Sequence, residues 1–82
     1  MNHDIKFGEL RQLLLDIGFV ETAKPEQLVF RHGPSNILFV FRPYRPSDSV
    51  ASYNLMEVRK MLDARGLMSA ATFEDQFKKT PA

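Results

Sequence analysis

The feature that most constrains the fold is a pair of strand-like runs around one short turn in the middle of the chain. The first run, Gln27 to His32, is mixed in character, and the second, Ile37 to Phe41, is entirely apolar. Residues 33–36 between them are all common turn formers. The pattern predicts an antiparallel hairpin. Alternation gives the first strand two faces, with Leu28, Phe30 and His32 on one and Gln27, Val29 and Arg31 on the other.

Two helical segments flank this hairpin, and each ends at a glycine that can adopt the left-handed conformation. The first is predicted from about residue 5 to residue 17, with Asp4 as its N-cap and Gly18 just after it. The second is predicted to end at Arg65-Gly66-Leu67, after a start capped from Ser47-Asp48-Ser49 or by Ser52. A short third helix is expected from Ser69, anchored by two phenylalanines four residues apart, Phe73 and Phe77.

The order of these segments predicts the fold class. Residues 19–23 are short and mixed, and they are a candidate first strand before the hairpin. Two helices with apolar stripes need a common surface, and one face of a sheet supplies it. We therefore expect a single α+β domain over residues 1–82. It has two layers, an antiparallel sheet of two or three strands with both main helices on one face, and a short C-terminal helix.

Composition excludes several classes of protein. The chain has 82 residues and no cysteine, so it has room for one domain and cannot form disulfides or thiolate metal sites. Its two histidines, His3 and His32, are too far apart in sequence to suggest a metal site. The longest apolar run, Ile37 to Phe41, is far shorter than the roughly 20 residues of a membrane helix. The N-terminus is polar. We expect a cytoplasmic protein without metal, cofactor or membrane partner.

The charge distribution gives a mild indication of a partner. The formal net charge is only +1, yet between Lys24 and Arg45 the sole acidic residue is Glu26. The basic residues of this stretch are Lys24, Arg31, Arg42 and Arg45. A basic bias on the predicted sheet is compatible with phosphate contact. The alternative is a solvated strand edge that arginine keeps soluble.

The order and spacing of three segments resemble the HicA-type toxins, mRNA interferases that cleave RNA in bacterial toxin–antitoxin pairs. The segments are Gly18-Phe19, Val29-Phe30-Arg31-His32 and Leu62 to Leu67. The resemblance covers roughly residues 7–67. It implies an α-β-β-β-α fold similar to double-stranded-RNA-binding domains, RNA as a ligand and an antitoxin-like protein as a partner.

The same resemblance places the family's catalytic motif on residues that differ from it. The family has Gly-Ser-His ahead of an apolar pair and a basic-then-His ending, and here the matching residues are Pro25-Glu26-Gln27. Histidine exchanges protons near neutral pH, whereas the amide of Gln27 neither takes nor gives a proton. The resemblance therefore implies a toxin-family domain that binds RNA and has no intact catalytic residue.

Other residues remain candidates for activity or binding. His32 is a weak substitute for the missing base, on the opposite face of its strand from Gln27, and His3 is a weaker one in the terminus. An RNase that uses another base is thus one alternative. Arginine pairs with phosphate and tyrosine stacks on unpaired bases. The candidate RNA-binding residues are Gln27, Arg31, Arg42, Tyr44 and Arg45. Tyr44 can instead pack onto the sheet.

The second alternative is a protein-interaction module with no nucleic-acid role. The run Ile37 to Phe41 is apolar on both faces, but a two-layer fold covers only one face of a sheet. Unless the segment with Phe73 and Phe77 covers the other face, an apolar patch remains exposed, and such patches mark interfaces. The expected occupant is an antitoxin-like protein or a second copy of the chain.

Overall fold

The computed structural model describes residues 5–77, which form an α+β domain with a three-stranded antiparallel sheet. The elements, in chain order, are α1 (Phe7–Asp16), β1 (Val20–Lys24), β2 (Gln27–His32), β3 (Ile37–Phe41), α2 (Ser52–Ala64) and α3 (Ala70–Phe77). The strands are arranged in the order β1-β2-β3. The predicted fold class is confirmed, and β2 and β3 have their predicted bounds. The first strand lies one residue later than predicted. Of the two or three strands that were expected, the described sheet has three.

The register of the sheet separates its side chains into two faces. Phe30 of β2 lies opposite Glu21 and Phe39, and Val29 lies opposite Thr22 and Val40. Residues directly opposite each other point to the same side of a sheet. We call the side that packs against the helices the covered face and the other side the open face. The open face carries Val20, Thr22, Lys24, Gln27, Val29, Arg31, Leu38 and Val40.

The covered face is filled mainly by aromatic rings, with Phe7 of α1 at the centre. The Phe7 ring lies 6.0 Å from Phe30, 5.8 Å from Phe41 and 5.1 Å from Tyr44, measured between ring centroids. Edge-to-face and offset contacts of this kind add to the free energy of burial. Val58 and Leu62 of α2 are fully buried in the same core. Both main helices therefore lie on one face of the sheet, as predicted.

Both main helices end as the sequence predicts, in Schellman motifs. After α1, the N–H of Phe19 donates to the carbonyl of Leu14 at 2.9 Å. After α2, the N–H of Leu67 donates to the carbonyl of Leu62 at the same distance. Gly18 has a φ of 106° and Gly66 has a φ of 73°, values that favour glycine. The two glycines thus end α1 and α2 and redirect the chain after each helix.

The helix starts differ from the prediction. Asp4, the predicted N-cap of the first helix, lies outside the described residues, and the helix begins after Lys6. Its first N–H groups are bound by the chain ahead of α2. The N–H of Phe7 donates to Asp48 O at 2.7 Å, and that of Gly8 donates to Pro46 O at 2.9 Å. The α2 helix begins at Ser52 after Ala51, with no side-chain cap. Both predictions for the cap of this helix, Ser47-Asp48-Ser49 and Ser52, were therefore wrong.

The third helix packs onto the other two helices and leaves the open face uncovered. It begins just after Ser69, as predicted, and the Ser69 Oγ accepts the N–H of Thr72 at 3.1 Å. Phe73 and Phe77 are buried in the main core with their ring centroids 5.0 Å apart. Within residues 5–77, Val20, Leu38 and Val40 therefore stay exposed. None of the helices in this range has the length and apolar character needed to cross a membrane.

Candidate nucleic-acid interface

Gln27 lies on the open face at the start of β2. It is half-buried, and it pairs with Lys24 of β1 across a tight turn formed by Pro25 and Glu26. The next residue, Leu28, pairs with Phe41 at the end of β3. Gln27 therefore lies at the end of the sheet where the chain leaves β3 towards Arg42.

Arg31 lies on the same face, four residues further along β2. At the rise of an extended strand this separation is about 13 Å. Arg31 is exposed, and within the described part of the chain its side chain makes no hydrogen bond or ion pair. The same holds for Lys24. Two cations and an amide therefore share one solvent-facing surface, and Arg31 is far enough away to reach a second phosphate.

Arg42 and Arg45 lie beyond the end of β3 and are held by local contacts. The guanidinium carbon of Arg42 lies 4.7 Å from the ring centroid of Tyr44. Arg45 donates its backbone N–H to Asp48 Oδ2 at 2.8 Å, and its Nε lies 3.6 Å from Asp48 Oδ1. Its side chain is still largely exposed. Arg42 and Arg45 thus remain accessible, but Asp48 offsets part of the charge of Arg45.

Tyr44 is not available to stack on a base, so this predicted role was wrong. The residue is only 7% exposed, and its ring lies stacked on that of Phe7. Its hydroxyl donates to Asn54 Oδ1 at 2.8 Å and accepts the N–H of Ala51 at 3.1 Å. The alternative interpretation, that Tyr44 packs onto the sheet, is the one that the structure supports, since the Tyr44 ring also lies 6.5 Å from that of Phe41 on β3. Tyr44 fixes the connection between β3 and α2.

His32 lies on the covered face, where it cannot reach a substrate at Gln27. It is 8% exposed, and its ring centroid is 5.1 Å from that of Phe19. Its Nδ1 lies 2.7 Å from Ser35 Oγ and 3.3 Å from the Ser35 backbone nitrogen, which donates to it. A general base must be within hydrogen-bond reach of its proton. The geometry therefore argues against His32 as a substitute base, and His3 lies outside the described residues.

The sequence did not single out two residues that matter here, Lys24 on the open face and Asn54 beside Tyr44. Lys24 was counted only as a charge, although the short turn at Pro25 and Glu26 forces it opposite Gln27. Asn54 is a buried amide on α2 that binds Tyr44. The tight turn was a usable signal for Lys24, whereas nothing in the sequence pattern distinguishes Asn54 from an exposed polar residue.

Comparison with known proteins adds no assignment to this geometry. No protein-family model, no curated protein and no solved structure matches the chain.

Proposed function

We propose that this chain is a HicA-like domain that binds RNA through the open face of its sheet and does not cleave it. The observation that carries the proposal is the shared surface of Lys24, Gln27 and Arg31. Gln27 occupies the position that matches the family's catalytic histidine. The only histidine among the described residues, His32, is buried on the opposite side of the sheet.

The chemistry of this surface suits a phosphate backbone. Lysine and arginine neutralise phosphates, and an amide N–H donates to a phosphate oxygen without sequence preference. Lys24 and Arg31 have no internal partner among residues 5–77, so no ion pair within that range has to break before they bind. Arg42 lies close to the same end of the sheet as Gln27 and adds a third cation.

The described open face has no aromatic side chain, and this limits how it can recognise the bases of an RNA. Its apolar members are aliphatic, namely Val20, Val29, Leu38 and Val40, and none of its described residues is aromatic. Base stacking on aromatic rings underlies much single-strand recognition. We therefore expect binding that depends strongly on salt and weakly on sequence.

Fluorescence polarisation with a labelled RNA hairpin, titrated at several salt concentrations, tests the binding. Removing one phosphate contact should lower the slope of log affinity against log salt by about 0.9 for a duplex. We expect this for Arg31→Ala and for Lys24→Ala. Arg59→Gln is the matched control, because Arg59 lies on α2 and pairs with Glu74. Equal losses in all three variants, or no measurable affinity in the parent protein, would overturn the proposal.

Cleavage of the same RNA tests the loss of catalysis. We expect the parent protein to bind without cleaving and Gln27→His to gain cleavage, since the new imidazole lies on the face that holds the cations. A parent protein that cleaves would contradict the loss of catalysis. Binding by both proteins without cleavage by Gln27→His would show that this position is not a disarmed catalytic site.

A second candidate function is protein binding by the aliphatic part of the open face. Val20, Leu38 and Val40 are all about half or more exposed, which is unusual for such side chains on a sheet. The family resemblance suggests an antitoxin-like partner, whose gene would be adjacent. Co-purification with the product of the neighbouring reading frame tests this, and Val40→Asp should abolish it. Retention of the partner by Val40→Asp would reject the open face as the contact.

A further inference from the structure

The outward side of α2 carries a second exposed apolar surface, remote from the open face. Tyr53 is 68% exposed and Met56 is 56% exposed. They line one shallow groove together with neighbouring residues of the same helix. We call these six residues the α2 seam: Tyr53, Met56, Glu57, Lys60, Met61 and Ala64.

The seam is one continuous stripe along the helix. At 100° per residue, its members fall within an arc of about 140°. Val58 and Leu62, which are fully buried, lie outside that arc on the core side. Tyr53, Glu57, Lys60 and Ala64 follow the middle of the stripe, and Met56 and Met61 lie on its two sides. A stripe of this shape fits another helix laid along it.

The stripe is complementary to itself when a second copy lies antiparallel. A two-fold axis between residues 58 and 59 places Glu57 opposite Lys60 of the second copy, and the reciprocal pair forms on the other side of the axis. The same axis places the large Tyr53 opposite the small Ala64. A parallel arrangement would instead oppose Glu57 to Glu57 and Lys60 to Lys60. Like charges directly opposed disfavour that arrangement.

We propose that two copies of this chain associate through their α2 seams as an antiparallel, two-fold symmetric pair. Two reciprocal Glu57–Lys60 ion pairs set the register, and the two methionines and Tyr53 supply the apolar contact. The seam shares no residue with the open face, so each copy keeps its Lys24, Gln27 and Arg31 surface free. Association through α2 is therefore independent of the proposed RNA binding.

The size of the seam sets the expected strength of the pair. The 13 residues of α2 span about 20 Å at 1.5 Å per residue. One helix pair of this length falls at the small end of specific interfaces. We expect a dissociation constant on the order of 10 μM, because a small interface leaves little surplus free energy after the cost of association.

Sedimentation equilibrium of the full chain, from about 5 to about 500 μM, tests the proposal with charge reversals. Glu57→Lys opposes lysine to lysine, and Lys60→Glu opposes glutamate to glutamate. Each variant alone should associate at least tenfold more weakly than the parent. The double variant restores the pairs and should dimerise again. Glu26→Lys, in the exposed turn after β1, is the control and should dimerise as the parent does.

An equimolar mixture of the two single variants is the most specific test of the Glu57–Lys60 pairing. One copy then carries two lysines and the other two glutamates, so only the mixed pair is complementary. We expect the mixture to dimerise about as tightly as the parent, whereas each component alone associates more weakly. Circular dichroism of each variant separates lost association from lost folding.

Three outcomes would overturn the proposal. One is a parent protein that is monomeric at the highest concentration. Another is a dimer that the single reversals leave intact. If Val40→Asp abolishes that dimer, the contact lies on the sheet instead. The last is a pair of single variants that both weaken association but do not recover it on mixing. RNA binding measured at nanomolar protein, where the chain is monomeric, is independent of all three.

Discussion

The covered and open faces of the sheet are made from alternate residues of the same strands, yet they contribute differently to the molecule. On β3, Phe39 is 2% exposed and its neighbour Leu38 is 57% exposed. Each buried phenylalanine contributes about 1.5 to 3 kcal/mol relative to an exposed one. The covered face therefore provides most of the stability. The open face can change its residues at little cost to folding, so it is the face on which a binding function can evolve.

The sharpest contrast between the faces is expected at adjacent positions of β3. Phe39→Ala should lower the free energy of unfolding by about 3 to 5 kcal/mol, because it opens a cavity beside Phe19 and Phe41. That loss is comparable to the whole stability of a small domain. Leu38→Ala should cost no more than about 1 kcal/mol. Urea denaturation followed by circular dichroism measures both.

Equal losses at these two positions would break the comparison. They would mean that Leu38 is covered in solution, by a second copy or by another part of the chain. Repeating the Leu38→Ala measurement at several protein concentrations distinguishes the two, because only association between copies depends on concentration.

The next effect concerns the buried hydroxyl beside the covered face. Tyr44→Phe keeps the ring on Phe7 but leaves Asn54 Oδ1 and the N–H of Ala51 without their hydroxyl partner. Unsatisfied buried polar groups cost about 1 to 3 kcal/mol. Tyr53→Phe is the control, since Tyr53 is exposed and its hydroxyl makes no hydrogen bond within the described residues. Thermal unfolding should shift for the first variant only; a shift common to both would contradict the buried network.

A smaller effect is expected at the glycine that ends α1. Gly18→Ala should destabilise the protein by about 1 to 2 kcal/mol, because a residue with a Cβ is strained at a φ of 106°. Gly33→Ala is the matched control. A Cβ there meets nothing within 4 Å, so the variant should be neutral or slightly stabilising. Urea titration compares the two, and a loss at Gly33 that equals the loss at Gly18 would contradict the role of the turn.

The smallest effect should come from charging the open face itself. Val40→Lys should change the free energy of unfolding by no more than about 0.5 kcal/mol, because the side chain stays in solvent. The same variant should raise RNA affinity through one added cation. Polarisation measured alongside denaturation checks both. An unchanged affinity would place the RNA away from β3.

Most of the fold follows from local patterns in the sequence. The two strand-like runs around the turn formers at residues 33–36 gave the bounds of β2 and β3, and glycine positions gave the ends of α1 and α2, because both signals act within a few residues. The helix starts were not predictable in the same way. The N–H groups of α1 bind carbonyls of Pro46 and Asp48, about 40 residues away, and local propensity contains no information about that contact.

The candidate site was predictable in part. Alternation places Gln27 and Arg31 on one face and His32 on the other, as found. The burial of Tyr44 was not predictable, because an Arg-Pro-Tyr-Arg segment is equally typical of an exposed loop and of a connection whose tyrosine is buried. The groups that hold Tyr44 are the ring of Phe7 on α1 and the amide of Asn54 on α2, and their distances from Tyr44 depend on the tertiary fold.

The backbone contacts at the start of α1 have a consequence for how the protein is made. The carbonyls of Pro46 and Asp48 receive the N–H groups of Gly8 and Phe7, and the N–H of Val50 donates to Ile5 O. During synthesis the first helix leaves the ribosome well before these residues do. The N–H groups of its first turn find these partners only once residue 48 has emerged. The α1 helix is therefore made before the residues that bind its first N–H groups, and it acquires all of its native hydrogen bonds only after them.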